Sequence, residues 1–128
     1  MNISEVSKTT QLSAKSIRLY EDKGLISAPH RSENGYRLYS QRHIDELLIV
    51  ARAKRVGFTL DECKSLVSLA KSPNRTSAEV KAKAEEKLVE VKAKLSELTE
   101  IKDQLEKWVS ECPGDSGAAC PIIDDLSS

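Results

Sequence analysis

Residues 76–110, TSAEVKAKAEEKLVEVKAKLSELTEIKDQLEKWVS, contain no Gly and no Pro, and their apolar side chains recur at Val80, Ala84, Leu88, Val91, Leu95, Leu98, Ile101, Leu105 and Val109. From Ala84 to Leu98 the apolar steps run four, three, four, three. That is the spacing of a coiled-coil seam, narrower than the stripe of a helix lying on a globule. At about 1.5 Å per residue the rod is roughly 50 Å long, more than the remaining residues can cover. If each of these side chains contributes even about 1.5 kcal/mol on burial, a seam left in water forfeits on the order of 10 kcal/mol, comparable to a whole domain's stability. The stretch therefore reads as a dimer rod.

Its ends are marked by local chemistry. Thr76 and Glu79 form a capping box: the hydroxyl can accept from an unpaired backbone donor, while Glu79 reaches back and suits the positive helix end. Lys71-Ser72-Pro73-Asn74-Arg75 is a loop before it. Cys112-Pro113-Gly114-Asp115-Ser116-Gly117 stops the helix, because Pro113 disfavours a helical Cys112 and the glycines loosen the backbone beyond it.

With 39% hydrophobic and 31% charged residues, the 128-residue chain suits one small, soluble helical domain plus an extension. Its longest apolar run, Leu47 to Ala51, is too short for a membrane span, and the polar N-terminus does not read as a signal peptide. No membrane partner is expected, and the expected address is the cytoplasm. The zero net charge hides an asymmetry: residues 1–75 hold 13 Lys and Arg against 8 Asp and Glu, and residues 76–128 hold 7 against 12. A basic head on an acidic rod suits a nucleic-acid binder with a separate dimerisation part, although charge alone does not separate this from an ordinary solvated surface.

Ser4 to Lys8 predict a short first helix with Ile3, Val6 and Leu12 as its apolar set, and Thr9-Thr10-Gln11-Leu12 predict a turn. Ser13 is a good N-cap for a second helix to about Lys23, closed by Gly24. Lys15 and Arg18 lie on one side of that helix, and Ala14, Ile17 and Tyr20 or Glu21 on the other. This is a helix-turn-helix pattern, in which the second helix enters the major groove. In Arg31-Ser32-Glu33-Asn34-Gly35-Tyr36-Arg37-Leu38-Tyr39, the central Asn34-Gly35 predicts a two-residue type I′ hairpin. The hairpin makes a wing whose cations are free to touch phosphate. Ser40 opens a third helix ended by Gly57; Thr59 and Glu62, a second capping box, open a fourth to about Ala70. Lys15, Arg18 and Tyr20 of the second helix, with Arg31, Tyr36 and Arg37 of the wing, are the expected contacts to double-stranded DNA.

Ile3-Ser4-Glu5-Val6, Ile17 through Ile26, Arg31 through Tyr39 and Val56-Gly57-Phe58-Thr59-Leu60 resemble the DNA-binding head of the mercury-resistance regulator (MerR) family. The resemblance covers the whole chain, since that family places a long antiparallel dimerisation helix after the head and an effector loop after the helix. It implies a mainly α fold: a winged helix-turn-helix DNA-binding domain over residues 1–75, a coiled-coil dimerisation helix over 76–111, and a metal-binding loop with a short C-terminal helix over 112–128. It also implies a homodimeric transcription regulator and no enzyme. Such a regulator holds a promoter with an overlong spacer and, when its effector binds, twists and bends the DNA into a form that RNA polymerase can use.

Cys112 and Cys120 bracket the last loop, each followed by Pro. Pro121 fits the first position of a short helix to Leu126 and makes Cys120 its N-cap, where the positive helix end favours a metal-binding thiolate. A structural disulfide is disfavoured in a reducing compartment. A four-ligand zinc site lacks partners, since His30 and His43 belong to the head and Cys63 falls on an apolar helix face. Spacing alone leaves a metal site and a redox switch level, and a copper carrier or thiol oxidoreductase would need neither winged head nor dimer seam. Two thiolates and nothing else favour a soft ion content with two ligands, Cu(I) above all. If the rods pair antiparallel, Ser77 of one chain lies beside Cys112 of the other, and Ser77 brings no charge suited to a divalent ion such as Zn(II). The spacing, the two Cys-Pro pairs and Ser77 resemble the copper-efflux branch of the family, whose members sense Cu(I) and often Ag(I) or Au(I). That resemblance implies Cys112 and Cys120 as ligands and Ser77 as a selectivity position that is not a ligand. Ile122, Ile123 and Leu126 are candidates for the face by which the tail helix docks against the rod and head, and plain capping of the dimer core is an equal reading of them.

Overall fold

The computed structural model describes all 128 residues. Asn2 caps α1 (Ile3–Thr10), its carboxamide oxygen accepting from the Glu5 N–H at 2.9 Å. The predicted turn at Thr9 and Thr10 is replaced by helix. Both hydroxyls donate four residues back, to the Glu5 and Val6 carbonyls at 3.0 and 2.8 Å, and the reversal narrows to Gln11 with φ +61°. Ser13 caps α2 (Ala14–Asp22) by accepting from the Ser16 N–H at 3.0 Å.

The wing is a two-stranded antiparallel ribbon, β1 (His30–Arg31) against β2 (Arg37–Leu38), with His30 opposite Leu38 and Arg31 opposite Arg37. Its turn corrects the type I′ expectation, which requires positive φ at both Asn34 and Gly35. Only Gly35, at φ +81°, is left-handed. The Gly35 N–H donates to the Ser32 carbonyl at 2.9 Å and the Ser32 N–H to the Tyr36 carbonyl at 2.8 Å. The connection is thus a three-residue loop with a glycine at its left-handed position.

Ser40 opens α3 (Gln41–Arg55), its N–H donating to His43 Nδ1 at 3.0 Å. Thr59 and Glu62 make the predicted reciprocal box at the start of α4 (Leu60–Lys71), at 2.8 and 3.2 Å. The core of the head is Val6 of α1, Ile17 and Tyr20 of α2, Leu47 and Val50 of α3, and Cys63 and Val67 of α4, with Leu25, Ile26 and Tyr39 from the connections.

One carboxylate is buried there. Glu46 of α3 accepts from the Ser27 N–H at 2.9 Å and hydroxyl at 3.0 Å, and pairs with Lys71 Nζ at 2.8 Å. Burial alone would raise its pKa, but Lys71 and the two Ser27 donors outweigh burial and hold it below the usual carboxylate value.

Packing divides the chain into two compact units, Met1–Lys87 and Leu88–Ser128. The rod, α5 (Ser77–Glu111), is continuous through both, and Thr76 caps it by accepting from the Glu79 N–H at 3.2 Å. In the first unit α5 is anchored by Lys87, which is buried, pairs with Glu62 at 2.9 Å and lies 5.5 Å from the Phe58 ring centroid. Lys87 and the Thr59 donors pull the Glu62 carboxyl down to about 2. In the second unit the seam residues Leu95, Leu98, Ile101, Leu105 and Val109 are all at least half exposed in the single chain. The unit ends in α6 (Pro121–Ser127), begun by Cys120 and Pro121 as expected.

Because the Glu46 carboxyl is depressed in the folded state, its contribution to stability is present above the unfolded carboxylate value of about 4.3 and is lost as pH falls through the lower folded value. Glu46→Gln is expected to lower stability at neutral pH by about 2 kcal/mol and to flatten the acid limb of a urea-midpoint-against-pH curve at fixed protein concentration. An unchanged acid limb would contradict that role.

Candidate functional site

The candidate DNA contacts sit on α2 and the wing. Lys15 and Arg18 are exposed on α2. Arg18 shares a groove of about 460 Å³ with Tyr36 and Arg37, so the second helix and the wing present one surface. Tyr36 is 72% exposed. Arg31 is exposed too, its guanidinium donating to the Gly35 carbonyl at 2.9 Å across its own turn. Tyr20 is a correction. It is only 8% exposed and packs in the core beside Ile17, because the α2 stripe that starts at Ile17 carries the ring inward.

Arg37 is half-buried and already engaged. Its Nε sits 3.0 Å from Glu21 Oε2, to which the Tyr39 hydroxyl also donates at 3.2 Å. Burial, with the Glu21 charge adding to it, pushes the Tyr39 phenol up to about 12. Glu21 therefore clamps the wing to α2, a role that sequence reading missed. Its place between the two faces of α2 was the available signal. The terminal amine of Met1 donates to the Tyr39 carbonyl at 2.8 Å, and the Tyr39 N–H returns a bond to the Met1 carbonyl at 2.7 Å.

The thiol loop lies in the second unit. Cys112 follows the last residue of α5, its N–H still donating to the Trp108 carbonyl at 3.0 Å, and Cys120 caps α6. Both thiols are free and half-buried, with their sulfurs 4.0 Å apart. That separation is too long for a sulfur–sulfur bond of about 2.05 Å. It is within roughly 0.6 Å of twice a metal–thiolate distance of about 2.3 Å, so one soft ion fits between the sulfurs. No group of three or more His, Cys, Asp and Glu side chains is placed to hold a metal. Cys63 is fully buried, lies 3.9 Å from the Val50 carbonyl and has its thiol pKa raised by burial, as a core residue should. His43 is buried in the α3 cap. Ser77 is exposed at the first position of α5, in the Met1–Lys87 unit. Sequence reading missed Trp108, whose indole N–H donates to Asp125 Oδ2 at 2.7 Å.

Residues 1–69 match the MerR helix-turn-helix regulatory protein family, and residues 40–108 match the MerR DNA-binding model. The chain belongs to the MerR family. It is similar to the HTH-type transcriptional regulator CueR of Vibrio cholerae, with 63% identity over 98% of this chain and 91% of that one. It is also similar to CueR of Salmonella typhi, with 52% identity over 99% and 92%. Among solved structures it resembles the transcription regulator PbrR691 of Ralstonia metallidurans in complex with lead(II), at TM-score 0.84 and 31% identity over 98% of each chain. This MerR-family chain is thus a DNA-binding transcription regulator and not an enzyme, with the mainly helical winged fold expected of it. No helix is long and apolar enough to cross a membrane.

If Lys15 touches one phosphate, Lys15→Ala weakens duplex binding for all sequences and lowers the slope of log affinity against log salt by about 0.9. A slope equal to that of the unmodified protein would remove Lys15 from the interface.

Proposed function

We propose that this chain is a cytoplasmic, Cu(I)-responsive regulator that binds double-stranded promoter DNA as an antiparallel homodimer and activates copper-efflux genes. Residues 1–75 hold DNA, 76–111 pair the chains, and 112–128 sense the ion. The observation that carries this reading is the pair of free sulfurs 4.0 Å apart with no third ligand-type side chain grouped with them. Two thiolates around a singly charged ion leave a net charge of −1, a charge that a helix N-terminus offsets, whereas a divalent ion calls for further ligands. Ag(I) and Au(I) share the charge and softness of Cu(I) and suit the same pair. Cys112 and Cys120 are the ligands. Ser77, adding no thiolate beside the second chain's loop, is the residue that disfavours divalent ions.

Cys112 and Cys120 would hold the ion through their sulfurs, and a loop tied at both ends in that way would be fixed. Response requires that the fixed loop match the DNA-distorting conformation better than the resting one, since a ligand with equal affinity for both shifts nothing. Lys15 and Arg18 on α2, with Arg31 and Tyr36 on the wing, hold the duplex. Arg37 sets the wing angle through Glu21 while its outer guanidinium edge meets DNA. Bending an overlong promoter spacer brings both recognition elements within reach of RNA polymerase. A second reading, sensing of thiol oxidation, has the same 4.0 Å separation in its favour, because a modest approach would let the sulfurs bond.

In a promoter–reporter assay, Cys112→Ser and Cys120→Ser are each expected to abolish the response to copper while leaving DNA binding intact. A retained copper response in either variant would contradict the two-thiolate site, and induction by an oxidant without copper would favour the second reading. Ser77→Cys is expected to gain a response to Zn(II), and silence there counts against the charge argument.

A further inference from the structure

Trp108 and Asp125 stand on either side of the thiol loop. Trp108 lies one helical turn before Cys112 at the end of α5, tied to it by the Cys112 N–H to Trp108 carbonyl bond of 3.0 Å. Asp125 lies five residues after Cys120 in α6, whose first turn is closed by the Asp124 N–H donating to the Cys120 carbonyl at 3.1 Å. The 2.7 Å bond from the indole N–H to Asp125 Oδ2 and the 4.0 Å approach of the two sulfurs are therefore two rungs between the same pair of helix ends.

The segment between the cysteines does little to hold them by itself. Gly114 sits at φ +64°, Gly117 lies three residues on, and the bond from the Gly117 N–H to Asp115 Oδ1 at 2.9 Å is internal to the segment. A loop of this composition leaves its ends free to part, and closing it costs chain entropy that a fixed contact outside the loop removes beforehand. A short hydrogen bond from a neutral donor to a carboxylate is of the stronger kind.

We propose that Trp108 is a positioning residue for the thiolate pair: clasped by Asp125, it holds α6 against the end of α5 so that Cys112 and Cys120 face each other before any ion arrives. The proposal rests on the reading of Cys112 and Cys120 as the ligands. It assigns to the chain's single tryptophan a function in ion affinity through preorganisation, with no contact to the ion itself.

The test uses the full-length protein and two probes. Phenylarsine oxide, which takes two neighbouring thiols at once, is titrated into the metal-free protein; buried Cys63 does not compete. Cu(I) affinity is measured separately by competition with a chelator. Trp108→Phe keeps an aromatic ring and loses the N–H, Asp125→Ala loses the acceptor, and Asp125→Asn keeps an oxygen that can accept. Trp108→Phe and Asp125→Ala are expected to weaken capture of both probes by about tenfold, the equivalent of one charge-assisted hydrogen bond. Asp125→Asn is expected to stay within about threefold of the unmodified protein, a rescue that a general loss of structure would not produce. In the metal-free Asp125→Ala protein the Trp108 emission is expected to move to longer wavelength, and an unmoved emission would count against the clasp. Arsenical capture equal in all four proteins overturns the clasp. If capture falls as expected but Cu(I) affinity is indifferent to Cys112→Ser and Cys120→Ser, the clasp stands and the copper reading falls.

Discussion

A helix of 35 residues whose apolar seam finds no cover in its own chain is the constraint on which everything else depends. Ile101, Leu105 and Val109 cannot stay half or more exposed without a large loss of stability, and a second copy offers the same apolar seam to receive them. Pairing through such a rod gives each molecule two basic heads and two thiol loops. It converts a weak, non-specific electrostatic attraction to DNA into a two-point grip whose geometry the rod can set.

Inside the head, charge pairing fixes the junctions between elements. Glu46, Glu21 and Glu62 are each tied to a cation and to a hydroxyl or backbone donor, and each fixes one junction: Ser27 against α3 and α4, the wing against α2, and the rod against α4. Lys87 carries the last of these. A buried ammonium is costly unless paired, so its 2.9 Å approach to Glu62 and its place over Phe58 define where the start of α5 sits on the head.

Much of this was legible in the sequence, because helix ends are specified by local chemistry. Ser13, Thr59, Thr76 and Pro121 sit where their side chains or fixed φ require, and the helices begin there. The wing turn was misread because an Asn-Gly pair serves both a type I′ turn and a three-residue loop with a left-handed glycine, and the flanking backbone decides between them. Tyr20 was misplaced because an aromatic residue on the boundary of an amphipathic stripe reads equally as core or as contact. Lys87 and the Trp108–Asp125 bond were invisible for a different reason. Each joins residues far apart along the chain, 25 and 17 positions, and no periodicity records which solvated charge will turn inward.

The proposed thiolate pair brings these parts to a single question, the number and kind of atoms around the ion. X-ray absorption at the copper edge of the Cu(I)-loaded protein answers it most directly. Two sulfur neighbours per ion and no nitrogen or oxygen are expected, and a spectrum with imidazole scattering or four-fold coordination would rule the thiolate pair out.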